Sequence, residues 1–285
     1  TSRGFTMTKK IAWVTDTAAL LSPEFIKKHN IHVLALNIVF EEGALRETID
    51  MTHDEFYDKL KNAKAHPKTS QPAFGEHVAL YEKLKQEGYD CAIAIHTSEQ
   101  LSGTVLSAPM AAEQAGFKNF VIDAKIGSYP MQYMLELGLE LEKDGLKPEE
   151  IVKKIEAMRG NAELAFIPAS LDQLHKSGRV SGTAMFLSNL LNIKLVIEYN
   201  KEGGVEVAQK VRADKRAKKA VIEKLHRAIQ KSPVKEVAVI HCNNLTGANE
   251  WKKELEEQFP TIIFTPTPLS ACVGVHAGEG TLGLT

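Results

Sequence analysis

The sequence predicts an α/β fold with two domains. Short apolar runs that end in polar residues alternate with helical segments up to about residue 160, which is typical of a parallel sheet. Beyond that point the strands include a hairpin, which requires antiparallel pairing. We therefore expect residues 7–161 to form an N-terminal three-layer α/β/α domain with a parallel sheet. Residues 162–285 are expected to form a C-terminal α/β domain with a mixed sheet.

The elements of the N-terminal half follow from local signals. The run Ile-Ala-Trp-Val within residues 10–15 predicts a buried strand. Ser22-Pro23 predicts a helix start, and Thr52 with Glu55 forms a capping-box pattern for a helix over 52–60. The other predicted strands lie at 32–39, 91–95 and 120–123, and the other predicted helices at 72–88, 107–115, 131–143 and 148–159.

The C-terminal half contains more strands. Gly203-Gly204 predicts a tight turn that joins two strands, residues 194–199 and 205–211. Basic residues on one side and apolar residues on the other predict an amphipathic helix over 214–231, which is either a solvated helix or a docking face for an acidic partner. The remaining predicted strands are 164–168, 237–241, 262–265 and 272–276, with a helix near 249–258.

Composition limits the function classes. The chain has 285 residues, of which 44% are hydrophobic and 25% charged, and its formal net charge is −1. This balance does not favour nucleic acid as a partner. No apolar run approaches the roughly 18 residues that span a bilayer, and no signal-peptide pattern occurs, so we expect a cytoplasmic protein. Cys91, Cys242 and Cys272 lack metal-ligand spacing and predict buried thiols.

Short polar motifs interrupt this ordinary composition, several of them at predicted strand ends. Ligands gather at the carboxyl ends of strands in parallel sheets. Hydroxyls, one arginine and one histidine, with apolar segments behind them, suit the binding of an acidic head group over an apolar pocket. The motifs are Thr15-Asp16-Thr17, Thr69-Ser70-Gln71-Pro72, Leu101-Ser102-Gly103-Thr104, Gly178-Arg179 and Gly274-Val275-His276.

In order and spacing these motifs resemble the DegV family, over nearly the whole chain. Further matching pieces are Ile122-Asp123, Leu191-Asn192-Ile193-Lys194, Arg212 and Gly278-x-Gly280. The family includes the fatty-acid-binding subunit of bacterial fatty acid kinase. The resemblance implies a long-chain fatty acid in an apolar tunnel between the two domains. It also implies a separate fatty acid kinase catalytic subunit that phosphorylates the acid with ATP, giving an acyl phosphate for phospholipid synthesis. The chain itself is then not an enzyme and needs no cofactor.

The resemblance also assigns the site. Thr69 and Ser102 would hold the carboxylate, with His276 close to the acid and Arg179 contacting either the head group or the kinase. Helix capping by the two hydroxyls, and structural hydrogen bonding or ion pairing by His276 and Arg179, are the alternative interpretations. The other residues predicted to line the ligand site are Asp16, Thr17, Gly103, Thr104 and Gly278.

Some residues depart from the family pattern. The family usually has Ser where Thr17 and Ala124 stand and Pro where Leu195 and Glu279 stand. Thr17 retains a hydroxyl, whereas Ala124 removes one. Glu279 adds a negative charge beside the expected anion site.

Two other functions are possible from the residues alone. Ser102 as nucleophile with His276 as base would make a hydrolase, although the G-x-S-x-G elbow is missing. A binder of another hydrophobic acid or an isoprenoid is the second alternative. Residues 278–283 match G-x-G-x-x-G, but no helix is predicted to follow, so we reject a dinucleotide site. Candidate tunnel-lining residues are 131, 134, 135, 166, 167, 185–187, 190, 191 and 193, and the preferred acyl chain is not predictable.

Overall fold

The computed structural model describes residues 9–189 and 193–285. The strands are β1 Ile11–Asp16, β2 Ile31–Leu34, β3 Asn37–Phe40, β4 Gly43–Arg46, β5 Lys68–Ser70, β6 Cys91–His96, β7 Asn119–Asp123, β8 Ala165–Ile167, β9 Lys194–Tyr199, β10 Val205–Val211, β11 Glu236–His241, β12 Ile263–Pro268 and β13 Leu282–Leu284. The α-helices are α1 Pro23–His29, α2 His53–Asn62, α3 Phe74–Gln86, α4 Thr104–Ala115, α5 Tyr129–Lys143, α6 Pro148–Met158, α7 Leu171–Ser177, α8 Asp214–Lys231, α9 Leu245–Gln258 and α10 Ala271–Ala277.

The chain divides into two compact units. The first consists of the residues up to Leu34 together with Gln71–Asn161, and the second of Ala35–Ser70 together with Ala162–Thr285. Residues 35–70 therefore group with the C-terminal half, whereas the sequence interpretation assigned them to the N-terminal domain. That each unit folds as an independent domain stays a prediction.

The first unit is built on a parallel sheet, as predicted. Its strand order is β2-β1-β6-β7, and every pairing in it is parallel. Ala12 and Val14 of β1 face α3 and α4, in a cluster that includes Tyr81. Trp13 points to the opposite face, where it lies so close to Gly138 of α5 that a Cβ there would be 2.3 Å from its ring. Helices on both faces give the predicted three layers.

Predicted capping signals begin two helices of the structure. The Ser22 hydroxyl accepts a hydrogen bond from the Phe25 backbone N–H at 3.1 Å, at the start of α1. The Thr52 hydroxyl accepts from the Glu55 backbone N–H at 3.1 Å and donates to the Glu55 carboxylate at 3.1 Å, ahead of α2. Each cap satisfies backbone donors that have no partner inside the helix.

The second unit contains the predicted mixed sheet. Its order is β10-β9-β8-β13-β11-β12, in which only β11 and β12 pair in parallel. Helices α8 and α9 pack on it through Val221, Leu225, Trp251 and Leu255. The apolar stripe of α8 is therefore buried, and its basic side faces away from this core.

Residues 32–39 were predicted as one strand, and this was wrong. Residues 32–34 lie in β2 and residues 37–39 lie in β3, and these two strands belong to different sheets. Strand β3 pairs antiparallel with β4 and β5 in a separate three-stranded sheet of the second unit. Ala35 and Leu36 are buried between the two strands, so the apolar run continues through the break and conceals it.

The prediction of a strand at 272–276 was also wrong, because these residues form α10. Ser270 caps the helix by accepting a hydrogen bond from the Cys272 backbone N–H at 3.2 Å. A short, mostly buried apolar run lacks the periodicity that separates a strand from a helix. The last strand is instead β13, which lies between β8 and β11 and pairs antiparallel with both.

Candidate functional site

Thr69, Arg179 and His276 meet in the second unit, although they are far apart in sequence. The Thr69 hydroxyl oxygen lies 2.9 Å from His276 Nε2 and accepts a hydrogen bond from Arg179 Nη2 at 3.3 Å. All three side chains are half-buried. A hydroxyl, a guanidinium and an imidazole thus converge on one point, which is a suitable arrangement for binding an acidic group.

Strand β5 places Thr69. Its backbone pairs with β3, where Thr69 is opposite Ile38. The flanking residues Lys68 and Ser70 are exposed, so this three-residue strand turns only its central side chain towards the cluster. The alternative interpretation of Thr69 as a helix cap does not apply, because α3 begins at Phe74, with Ala73 at its N-cap.

Arg179 follows the end of α7. Gly178 ends that helix with φ at 70°, a left-handed conformation that glycine adopts without strain. The guanidinium is steadied by a hydrogen bond from Arg179 Nη1 to the Ser177 carbonyl at 3.0 Å. Its second nitrogen remains directed at the Thr69 hydroxyl.

His276 lies in the last turn of α10. Burial and the nearby Arg179 charge lower the pKa of His276 to about 3, so its imidazole is neutral at physiological pH. Its Nδ1 atom is buried and has no hydrogen-bond partner among the residues that the structure describes. The adjacent residue is held by His66, whose Nε2 donates to the Val275 carbonyl at 2.9 Å.

Gly278 allows the chain to leave α10. Its φ is 95°, and an added Cβ would lie 2.5 Å from the Gln173 side chain and 3.0 Å from Ser170. The residue thus permits a turn and a close approach to α7, as a structural glycine does. The glycine motif at 278–283 is preceded by a helix and runs into strand β13, which reverses the strand-to-helix order of a dinucleotide motif.

Ser102, Gly103 and Thr104 lie in the first unit, at the start of α4. The Ser102 and Thr104 hydroxyls are 2.8 Å apart, and the Thr104 backbone N–H donates weakly to Ser102 at 3.4 Å. Gly103 has the end of the Gln71 side chain so close that this side chain would have to move to admit a Cβ. Thr104 is fully buried, whereas Ser102 remains half-buried. Of the three, Ser102 is the best placed to offer a hydroxyl to a ligand.

Asp16 and Thr17 are buried at the carboxyl end of β1. Asp16 accepts hydrogen bonds from the backbone N–H groups of Ala18 at 2.9 Å and Thr97 at 3.1 Å. The same carboxylate lies 2.9 Å from His96 Nδ1. These contacts are those of a residue that joins β1 to β6, and a direct role in ligand binding stays a prediction.

Three residues that depart from the family pattern, Ala124, Leu195 and Glu279, are either buried in the fold or bonded at the surface. Ala124 is fully buried after β7, and its backbone N–H donates to the His96 carbonyl at 2.9 Å. Leu195 is a fully buried residue of β9. Glu279 is exposed, and its carboxylate accepts a hydrogen bond from the Asn243 side chain at 2.9 Å. The added charge of Glu279 is therefore engaged at the surface.

The predicted tunnel-lining residues do not share one environment. Met131, Met134 and Leu135 are fully buried in the first unit, and Phe166 and Ile167 are buried in β8. Met185 is 71% exposed. Leu190 and Leu191 lie outside the described residues. A cavity of about 330 Å³ is lined by residues 48–53 and 55, and none of the predicted head-group residues lines it.

The sequence interpretation assigned no role to three residues near the cluster, Glu47, His53 and His66. Glu47 is completely buried, and its carboxylate accepts hydrogen bonds from the Ser270 hydroxyl at 2.6 Å and the Ala271 backbone N–H at 2.8 Å. His53 Nε2 lies 3.2 Å from the same carboxylate. No local pattern marks these residues, because their partners are distant in sequence.

Within residues 9–189 and 193–285, His, Cys, Asp and Glu side chains form no group of three that could hold a metal ion. Over the same ranges no helix has both the length and the apolar character required to cross a bilayer. The three cysteines are buried, as predicted.

The structure is thus a two-unit α/β protein in which a hydroxyl, a guanidinium and an imidazole meet in the second unit. The chain matches the family described as "Uncharacterised protein, DegV family" over residues 10–285. It therefore belongs to the DegV family.

Similar proteins span the whole chain. Protein DegV of Bacillus subtilis is 34% identical over 276 residues, which cover 96% of this chain and 98% of that protein. The crystal structure of DegV described as a fatty acid binding protein from Bacillus subtilis superposes with a TM-score of 0.86 at 33% identity, covering 97% of this chain and 98% of that one. A fatty acid binding DegV family protein from Streptococcus agalactiae has a TM-score of 0.87 at 28% identity, with 97% and 98% coverage.

Proposed function

We propose that this protein binds a long-chain fatty acid and presents its carboxylate to a separate fatty acid kinase catalytic subunit. That subunit would transfer phosphate from ATP to the bound acid, giving an acyl phosphate for phospholipid synthesis in the cytoplasm. The convergence of Arg179 and His276 on the Thr69 hydroxyl carries the proposal. The description of similar proteins as fatty acid binders supports the choice of ligand.

The chemistry of the cluster suits a carboxylate that must later react. Arg179 supplies a charge, and the Thr69 hydroxyl can donate to an anionic oxygen. His276 is neutral and can only add a hydrogen bond, because its pKa is lowered to about 3. The carboxylate of the fatty acid therefore meets one cation, Arg179, and not two. Its negative charge is only partly neutralised, so one of its oxygens stays nucleophilic. Ser102 is proposed as a second hydroxyl for the same head group.

The hydrocarbon tail provides most of the binding free energy. A palmitate-sized chain buries about 15 methylenes at about 0.8 kcal/mol each, which gives a gross gain of about 12 kcal/mol before the costs of association. Such a ligand is expected to remain bound during purification. An apolar tunnel for the tail is part of the proposal.

Native mass spectrometry tests the fatty acid. Freshly purified protein should carry an adduct with the mass of a long-chain fatty acid. Thr69→Val keeps the shape of the side chain and removes the hydroxyl, so retention should fall about tenfold or more, as expected for a hydrogen bond to a charged group. Thr265→Val, an exposed threonine of β12, is the matched control and should retain the adduct.

An adduct of a different chemical class would contradict the proposed ligand, and equal retention in both variants would contradict the assigned head-group site.

The kinase step needs its own assay. Loaded protein, ATP and a fatty acid kinase catalytic subunit should yield an acyl phosphate, which hydroxylamine traps as a hydroxamate. No product from this chain, when a DegV relative gives product with the same subunit, would remove the presentation role and leave fatty acid binding standing.

A further inference from the structure

Glu47 is a buried carboxylate to which the proposed function assigns no role. It directly follows β4, and none of its side chain is exposed. A charge withdrawn from water is costly unless hydrogen bonds compensate it. The compensation comes from the Ser270 hydroxyl at 2.6 Å, the Ala271 backbone N–H at 2.8 Å and His53 Nε2 at 3.2 Å.

The Glu47 contacts bind the first turn of α10. Ser270 is the N-cap residue and Ala271 the first residue of that helix. Ser270 donates its proton to Glu47 while its oxygen accepts from the Cys272 backbone N–H at 3.2 Å. A negative charge at this end is also favoured by the helix dipole. Glu47 therefore anchors the beginning of α10 by two direct bonds and one relayed bond.

The opposite end of α10 carries His276. The helix has seven residues, so it is only about 10 Å long. Tyr57 of α2 packs on its middle, where an added Cβ at Gly274 would be 2.6 Å from the Tyr57 hydroxyl. His66 holds the Val275 carbonyl near its end. A segment this short and this closely packed transmits a shift of its first turn to its last.

We propose that Glu47 is a positioning residue for His276. Its carboxylate sets the place of α10, and α10 in turn holds the imidazole within hydrogen-bond distance of the Thr69 hydroxyl. The inference rests on the proposed function only for its effect on fatty acid retention. Its structural part, the dependence of the Thr69–His276 hydrogen bond on Glu47, does not require a ligand.

Glu47→Gln tests both parts. The amide keeps the size of the side chain but carries no charge, and its nitrogen can only donate, so the anchoring bonds lose their charge assistance and one of them is lost or reversed. Side-chain ¹⁵N NMR of lipid-free protein should show a changed His276 signal, assigned with His276→Gln. Release of bound fatty acid should become about tenfold faster, in line with the loss of one charge-assisted hydrogen bond.

Glu142→Gln is the matched control. Glu142 is a half-buried carboxylate of the first unit that accepts a hydrogen bond from Trp13 Nε1 at 3.0 Å. This variant should leave the His276 signal and the release rate unchanged, even if it lowers stability. Should Glu47→Gln fail to fold, Ser270→Ala removes the bond to Glu47 and the cap bond from Cys272, leaves the Ala271 bond in place, and should change the same His276 signal.

The outcomes separate the two proposals. An unchanged His276 signal in folded Glu47→Gln and Ser270→Ala overturns the positioning role, whatever happens to the lipid. A changed signal with unchanged lipid release supports the positioning role and instead contradicts the assignment of the head group to the Thr69 cluster. If Glu47→Gln changes the His276 signal and the rate of lipid release, and Glu142→Gln changes neither, the positioning role and the head-group site are both supported.

Discussion

The Thr69 hydroxyl has only one proton, and two neighbours compete for its oxygen. Arg179 can only donate, so it occupies a lone pair of that oxygen. The neutral His276 imidazole either accepts the hydroxyl proton at Nε2 or donates its own proton there. In the first case the hydroxyl has nothing left to donate. A carboxylate can therefore receive the Thr69 proton only when His276 carries its proton on Nε2.

We predict that His276 carries its proton on Nε2 in lipid-free protein. Nδ1 is buried without a partner among the described residues, so a proton there would be an unsatisfied donor, whereas Nε2–H donates to the Thr69 hydroxyl. Side-chain ¹⁵N shifts distinguish the two forms. The imidazole should stay neutral down to about pH 4, because its pKa is lowered to about 3. Arg179→Gln should raise that pKa, since the guanidinium charge is one of its causes. A lipid-free protein in the Nδ1–H form would contradict the scheme.

Helix α10 shows how a single position controls the packing of an element. Gly274 costs helix propensity relative to alanine, yet it lies against Tyr57, which is 3% exposed and cannot move aside. The requirement for close approach outweighs the propensity. The same contact helps explain why residues 272–276 form a helix seated on α2.

Gly274→Ala should therefore destabilise the protein. The added Cβ would lie 2.6 Å from the Tyr57 hydroxyl, and the cost of such overpacking is about 1–3 kcal/mol. Gly75→Ala in α3 is the control, because nothing lies within 4 Å of a Cβ there. Its stability should be unchanged or higher. Urea unfolding of both variants measures the difference, and an equal gain in both would show that helix propensity alone decides.

Elements with a local signal were predictable, and those defined by tertiary contacts were not. The Thr52 capping box and the alternation of strands with helices before residue 160 lie within short windows of sequence. The helix at α10 and the division of residues 32–39 between two sheets depend on distant partners. For the site, the motifs drew attention to Thr69, Arg179 and His276, but nothing in the sequence indicated that Glu47 supports them.

At the scale of the whole molecule, buried histidines limit stability in acid. His77 is fully buried between the Ser107 hydroxyl, at 3.2 Å from Nδ1, and the stacked ring of Tyr81. Burial, and secondarily the neighbouring His96, lower its pKa to about 4. The unfolded chain therefore takes up a proton near pH 6.5 that the folded chain takes up only near pH 4. His276 acts in the same direction.

We expect the free energy of unfolding to fall as the pH decreases from about 6.5 to about 4. In this window the unfolded state binds more protons, so each depressed histidine contributes a slope of up to about 1.4 kcal/mol per pH unit. His77→Gln should reduce the slope, whereas His226→Gln, at an exposed position of α8, should not. Urea unfolding across this range provides the test, and identical slopes in the two variants would exclude His77 as a cause.

The assignment of residues 35–70 to the second unit affects any attempt to produce that unit by itself. A truncated product that starts at Ala162 would lose β3, β5 and α2, and with them Glu47, Tyr57, His66 and Thr69. Helix α10 would then expose its capping serine and the flank that Tyr57 covers. A workable excision keeps both stretches and joins them with an artificial connection, since neither alone supplies the residues around His276.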